Sequence, residues 1–179
     1  IQLSFLMKST LIIYSSTDGQ TKNICSRIGE FLSNDIRSEI ISLSEATSSD
    51  IEKYDRIIIG ASIRYGKHKK ELFEFIDANL AELTKKDNAF FSVNVVARKP
   101  EKNTPETNPY MQKFLLKTSW VPKKLAVFAG KIDYPKYNFV DKQMIRFIMW
   151  ITKGPTNIKN TYEFTDWNKV DSFAKELIA

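Results

Sequence analysis

The sequence predicts an open parallel α/β sheet with helices on both faces, and three observations predict it. Short β-branched runs recur along the chain, and Ile57-Ile58-Ile59-Gly60-Ala61 is a continuous one of the kind found in strands covered on both sides. Segments with apolar residues at helical spacing alternate with those runs. Five strands interleaved with helices in this order join most simply through right-handed crossovers. The 179 residues amount to one domain, and 42% hydrophobic with 27% charged residues excludes disordered, collagenous and low-complexity classes.

Residues 1–6 precede the first methionine, Met7, without a basic n-region, and read as sequence upstream of the natural start. A single domain is expected over 7–179. Leu11-Ile12-Ile13-Tyr14 is the first strand, and the polar loop 15–20 leads to a helix with Ile24, Ile28, Phe31 and Leu32 inward. Residues 36–43 alternate as a second strand, and 44–53 leave room for a short helix. The run 57–61 is the third strand, 69–83 a helix, 89–96 the fourth strand, 108–117 a helix and 125–129 the fifth strand. Thr165 is placed to N-cap a closing helix that carries Trp167, Val170, Phe173, Ala174 and Leu177. Between strand five and that helix, about 130–160, lies an insertion far longer than an ordinary strand-to-helix loop.

The one cysteine, Cys25, and the one histidine, His68, exclude a disulfide framework, a multi-thiolate metal site and a site built on several imidazoles, so no metal is expected. Cys25 falls among inward positions of the first helix and reads as a small core residue. His68, among Lys67, Lys69 and Lys70, reads as a surface residue without a role.

Ligands of such sheets bind beyond the carboxyl ends of the strands, which brings together the loops 15–21, 62–66 and 94–99. The first of these, Ser15-Ser16-Thr17-Asp18-Gly19-Gln20-Thr21, sets hydroxyls and a glycine before a helix N-terminus, an arrangement that favours an anion. It lacks the lysine of a Walker A loop and is not GxGxxG, so it suits a monophosphate held by neutral donors. The alternative is a hydroxyl-rich turn in which Thr21 caps the helix.

Ile12-Ile13-Tyr14-Ser15-Ser16-Thr17-Asp18-Gly19-Gln20-Thr21 resembles the FMN-phosphate signature of flavodoxins. The stretches 55–66 (Asp55-Arg56 through Ser62-Ile63-Arg64-Tyr65-Gly66) and 91–102 (Phe91-Ser92-Val93-Asn94-Val95-Val96-Ala97-Arg98-Lys99-Pro100-Glu101-Lys102), with Thr165-Asp166-Trp167, are similar to the flavodoxin-like, quinone-dependent protoporphyrinogen IX dehydrogenases of haem biosynthesis. That resemblance spans nearly all of 7–179. It implies a flavodoxin-like five-stranded sheet in the order 2-1-3-4-5 and an FMN-dependent oxidation of protoporphyrinogen IX, with electrons passed to menaquinone or ubiquinone. It also implies that Ser16, Thr17, Asp18, Gly19, Gln20 and Thr21 hold the phosphate. Ser62, Ile63, Arg64 and Tyr65 with Ser92, Val93, Asn94, Val95, Ala97 and Arg98 would frame the isoalloxazine. Asp18 departs from the general pattern, where a hydroxyl residue commonly precedes the glycine, and is expected to turn away and bond its own loop. No general base is assigned. The alternatives on this fold are an electron-carrier flavodoxin and an NAD(P)H:quinone reductase. Carriers are typically acidic, and this chain is not.

The formal charge is +6, yet residues 98–154 hold twelve Lys and Arg against four Asp and Glu, and the remainder is slightly acidic. Arg98, Lys99 and Lys102 are the candidate partners of the porphyrin propionates, against a reading as a solvated basic loop. Residues 139–153 are apolar around most of a helix (Phe139, Val140, Met144, Ile145, Phe147, Ile148, Met149, Trp150, Ile151), with Lys142, Arg146 and Lys153 as the basic members. About fifteen residues is too short to span a bilayer. The segment is either buried in the domain or a dimer, or interfacial; the favoured expectation is peripheral contact with anionic membrane at the cytoplasmic face. Nucleic acid is not expected as a partner.

Overall fold

The computed structural model describes residues 8–32 and 37–179. The expectations for 1–6, Met7 and Ile36 lie outside the described residues.

The central sheet has five parallel strands in the order β2-β1-β3-β4-β5. They are β1 (Thr10–Ser15), β2 (Ser38–Ser42), β3 (Arg56–Ser62), β4 (Asp87–Val93) and β5 (Lys124–Phe128). Period-two alternation divides the apolar runs between two faces. Leu11, Ile13, Ile57, Ile59 and Phe90 look to one side. There they meet α3 (Lys70–Ala78), α4 (Leu80–Lys85) and α5 (Pro109–Lys117) through Leu72, Ile76, Leu83, Met111 and Phe114. Ile12, Ile58 and Phe91 look to the other side, onto α1 (Gln20–Leu32) and α7 (Trp167–Ile178). A short α2 (Ser48–Lys53) carries a capping box between Thr47 and Asp50.

Aromatic rings fill both layers. Phe90 stacks on Phe114 with centroids 3.8 Å apart, while Phe91 meets Phe128 and Phe173 edge to face. Room for Phe91 comes from Gly60, where an added Cβ would fall 2.1 Å from the ring. Cys25 is fully buried in the second layer, as expected. On the rim, Arg27 grips Asp171 with two bonds of 2.7 and 2.9 Å, joining α1 to α7.

Strand ends shift by one or two residues from the sequence expectation, and three larger differences have local causes. The helix expected over 69–83 is two helices, α3 and α4, because Asn79 donates its side-chain amide to the Phe75 carbonyl and leaves the helical backbone. The strand expected over 89–96 ends at Val93, since the Asn94 side chain accepts from the Ala97 amide and caps a 3-10 turn over Val95–Arg98. The cap of α7 is Asp166 and not Thr165. Its carboxylate accepts from the Asn168 and Lys169 amides, while Thr165 donates to the Ala129 carbonyl at 2.7 Å.

The insertion is an ordered unit. It opens with β6 (Lys131–Asp133), passes through a 3-10 turn and α6 (Phe139–Ile151), and returns in β7 (Thr161–Glu163), antiparallel to β6. Ile132, Tyr134 and Met149 form its own small core, with Ile145, Ile148 and Val95 against them.

Candidate functional site

The loops after β1, β3 and β4 converge with the insertion around one cleft. At one end, β1 delivers the chain to the first turn of α1. Gly19, at φ +92°, makes the bend, and its amide donates to Ser16 Oγ at 2.9 Å. The first turn of α1 holds no acidic residue, so the positive end of its dipole faces the cleft uncompensated. Thr21 lines the cleft, fully buried, and its hydroxyl has no partner among the described residues. A buried hydroxyl without a partner is costly, and an anionic oxygen in the cleft would satisfy it. The Gln20 side chain is committed elsewhere, donating to Glu163 Oε1 at 3.1 Å and Thr165 Oγ1 at 2.9 Å.

At the mouth, Arg64-Tyr65-Gly66-Lys67 closes a tight hairpin through reciprocal backbone bonds between Arg64 and Lys67. Tyr65 and Gly66 both have positive φ, 52° and 79°, as a type I′ turn requires. A tyrosine there costs about 1 kcal/mol of backbone strain, which marks the turn as a functional feature. Its hydroxyl donates to Asp141 at the start of α6. Arg64 pairs with both Asp18 and Asp141, and its guanidinium lies 5.3 Å from the Tyr137 ring centroid. Asp18 therefore does not bond its own loop as expected. Arg64 and the Tyr137 hydroxyl hold its carboxylate, while Ser16 bonds the loop backbone instead. Burial first, and then the Asp18 charge, push the Tyr137 phenol up to about 12, so it stays a neutral donor.

Behind the third loop runs a buried polar chain. His68, expected at the surface, is only 5% exposed, packed edge-on against Phe73, Phe90 and Phe114. Helix α3 starts at Lys70, and the chain leading into it folds the imidazole inward, leaving Lys67 and Lys69 outside. His68 Nε2 lies 3.0 Å from Ser92 Oγ, and Asn94 Nδ2 donates to the same oxygen. Burial, and secondarily the charge of Lys117, lower the His68 pKa to about 4, so the ring is neutral near pH 7. Asn94 and Asn108 exchange amide bonds of 2.9 and 3.2 Å, fixing the cleft loop to the cap of α5.

The cleft lining includes Ser16, Asp18, Gln20, Thr21, Ser62, Ile63, Arg64, Tyr65, Val93, Asn94 and Val95 among the residues expected there. Thr17, Gly19, Ser92, Ala97 and Arg98 do not line it, and neither do Lys99 and Lys102. Of the basic group expected to meet propionates, Arg98 carries structural contacts. Arg98 donates to the Val95 carbonyl at 3.0 Å and to the Thr152 carbonyl at 3.1 Å, clamping the C-terminal end of α6. Burial there lowers its pKa from the usual arginine value.

Sequence reasoning missed the opposite wall. Lys131, Ile132 and Tyr137 with Ile145, Ile148 and Met149 of α6 close the cleft from the insertion side, joined by Tyr110 of α5. The apolar periodicity of 139–153 was the available signal, since one stripe of α6 packs inward while Phe139, Val140, Phe147, Trp150 and Ile151 stay exposed. Among the described residues no cluster of metal-ligating side chains occurs, and no helix is long and apolar enough to cross a membrane.

Sheet order, cleft position and anion-directed first loop define a flavodoxin-type protein. The model of the Flavodoxin domain matches residues 11–159, and the chain belongs to that family. Flavodoxin 1 of Bacillus cereus in its oxidised form shares the fold with a TM-score of 0.52 at 16% identity, covering 95% of this chain and 97% of its own. A short-chain flavodoxin associated with a bacterial microcompartment shares it at 0.57 and 15% identity, covering 96% and 97%. Within the family, the chain is 41% identical over 169 residues to the Escherichia coli (strain K12) protein named protoporphyrinogen IX dehydrogenase (quinone), covering 94% of this chain and 93% of that one. The Leishmania major protein of the same name is 40% identical over 171 residues, covering 94% and 74%. The chain is an oxidoreductase of this protoporphyrinogen IX dehydrogenase family.

Proposed function

We propose that the chain binds FMN in the cleft and oxidises protoporphyrinogen IX to protoporphyrin IX, handing the electrons to a membrane quinone. The observation that carries the cofactor reading is the buried, unpartnered Thr21 hydroxyl at an uncompensated helix N-terminus. The donor set fits a phosphate: Thr21 and Ser16 hydroxyls with the first-turn amides of α1. Backbone of the loops at Ser62–Tyr65 and Val93–Val95 would border the ring system, with Ile145, Ile148 and Met149 on the insertion side. Bound FMN supplies two-electron transfer, so the six electrons leaving each porphyrinogen require three turnovers and three quinones.

This chain's own residues position and enclose. The Arg64–Asp18–Asp141 bridge ties the phosphate loop to α6 across the mouth, and the apolar stripe of α6 excludes water from the inner wall. Tyr137, on the cleft wall, stays a neutral donor, and His68 stays neutral in the core behind the third loop. The exposed outer stripe of α6, with Trp150 71% and Phe139 77% exposed and Lys142, Arg146 and Lys153 on the same segment, supports docking on an anionic bilayer at the cytoplasmic face. Both reactants are poorly water-soluble, which gives such docking a purpose.

Anaerobic mixing of the FMN-loaded protein with protoporphyrinogen IX, with and without a quinone, tests the reading. Bleaching of the flavin by protoporphyrinogen and its return on adding quinone are expected. Reduction by NAD(P)H alone indicates a quinone reductase, and reduction by neither indicates an electron carrier.

A further inference from the structure

We propose that Lys131, supplied from the insertion, is the cationic partner of the bound phosphate, so that the phosphate end of the cleft is completed by a residue more than a hundred positions from its loop. This rests on the flavin reading above. The loop itself, residues 15–21, contains no cation, and a phosphate held by neutral donors alone retains its charge inside a partly enclosed site. Two cations line the cleft, Arg64 and Lys131. Arg64 is engaged by Asp18 and Asp141. Lys69 touches the phosphate loop from outside the lining, its Nζ donating to the Ser16 carbonyl. Lys131 is half-buried in the cleft wall and forms no ion pair among the described residues.

The register of the insertion hairpin gives the direction of the side chain. Lys131 of β6 stands opposite Glu163 of β7, and directly opposed residues of an antiparallel pair project from the same face. That face is turned towards the first turn of α1, because Glu163 Oε1 accepts from Gln20 Nε2 at 3.1 Å. The same oxygen also accepts from Trp167 Nε1 at 3.0 Å, so two neutral donors already hold Glu163 Oε1. A second link fixes the distance between the segments: Ala129, two residues before Lys131, is joined through the Thr165 hydroxyl to Gln20. Lys131 and Thr21, whose hydroxyl has no partner among the described residues, line the same cleft. A charge-assisted bond from lysine to a phosphate oxygen is the interaction this placement provides.

The test is titration of the apoprotein with FMN and with riboflavin, which lacks the phosphate, followed by quenching of flavin fluorescence. Lys131→Gln should weaken FMN binding about ten-fold or more while riboflavin binding changes less than about two-fold, and Lys131→Arg should recover most of the loss. The FMN affinity of the unsubstituted protein should also fall with added salt more steeply than that of Lys131→Gln. Equal FMN affinities, or equal losses for FMN and riboflavin, overturn the proposal. So does an unchanged FMN affinity accompanied by a raised KM for protoporphyrinogen, which assigns the ammonium to a substrate carboxylate. If the unsubstituted protein binds neither flavin, the cofactor reading itself falls and takes this proposal with it; if it binds FMN and Lys131→Gln binds it equally, only the proposal falls. Thermal melts of the apo variants show whether folding is intact.

Discussion

The sheet body and the insertion are built on different physical terms. In the body, two aromatic and aliphatic layers bury nearly every residue of the central strands β1, β3 and β4 on both sides. The insertion's buried hydrophobic cluster is only Ile132, Tyr134 and Met149, and polar joints tie it to the body: Arg98 on Thr152, Arg64 on Asp141 and Gln20 on Glu163. A layer stabilised by area tolerates loss of one contact. A module stabilised by joints loses its position when one joint goes, and here that module forms half of the cleft.

Substitution in the body gives the largest effect. Gly60→Ala drives a methyl into the Phe91 ring, and a loss of about 3 kcal/mol or more in urea-induced unfolding is expected, with no lower-cost rearrangement available between two packed layers. Next comes the buried imidazole, also part of the body. The His68 pKa is about 4 in the folded protein against 6.5 for an ordinary histidine, so between those values the unfolded chain binds the proton that the folded chain refuses. Stability contributed by His68 is complete above about pH 6.5 and declines by about 3 kcal/mol as pH falls to 4; His68→Gln, compared by denaturation at pH 7 and pH 4.5, should flatten that decline.

A joint is worth less to global stability and more to the site. Arg98→Ala removes bonds to two carbonyls and should cost about 2 kcal/mol, while limited proteolysis within 139–153 accelerates and FMN affinity drops. Proteolysis unchanged from the parent would show that the insertion is positioned by its apolar contacts instead. The smallest stability change belongs to the outer stripe of α6: Phe147→Ser with Trp150→Ser should move the unfolding free energy by less than about 0.5 kcal/mol. The same pair should abolish co-sedimentation with vesicles rich in anionic lipid, and retained sedimentation would remove the support for bilayer docking.

The same division explains what could be read beforehand. The alternation of strands and helices and the three converging loops follow from local patterns, because periodicity and loop position are properties of neighbouring residues, whereas the strand order came only with the family resemblance. Thr21 at the anion-directed helix start and Cys25 in the core were legible for that reason. His68 was not, since three flanking lysines describe its neighbours in sequence and say nothing of Phe90 and Phe114 around the ring. The structural part of Arg98 was not legible either: its bonds to the Val95 and Thr152 carbonyls depend on where the insertion folds back. The far wall of the cleft, from Lys131 to Met149, depended on how a long insertion folds back, which no local pattern encodes.

Cys25 gives the molecule a built-in clock. It is the only thiol in the chain, sealed at the centre of the α1 layer, and burial raises its pKa far above the ordinary thiol value. An electrophile in solution therefore finds no reactive thiol on the folded protein, which suits an enzyme that would handle quinones, themselves thiol acceptors. It also means that every alkylation event records one opening of the α1 layer. The rate of labelling by an excess of a small maleimide reads out how often that layer breathes, with no engineered probe, and flavin bound at the N-terminal end of the same helix should slow it.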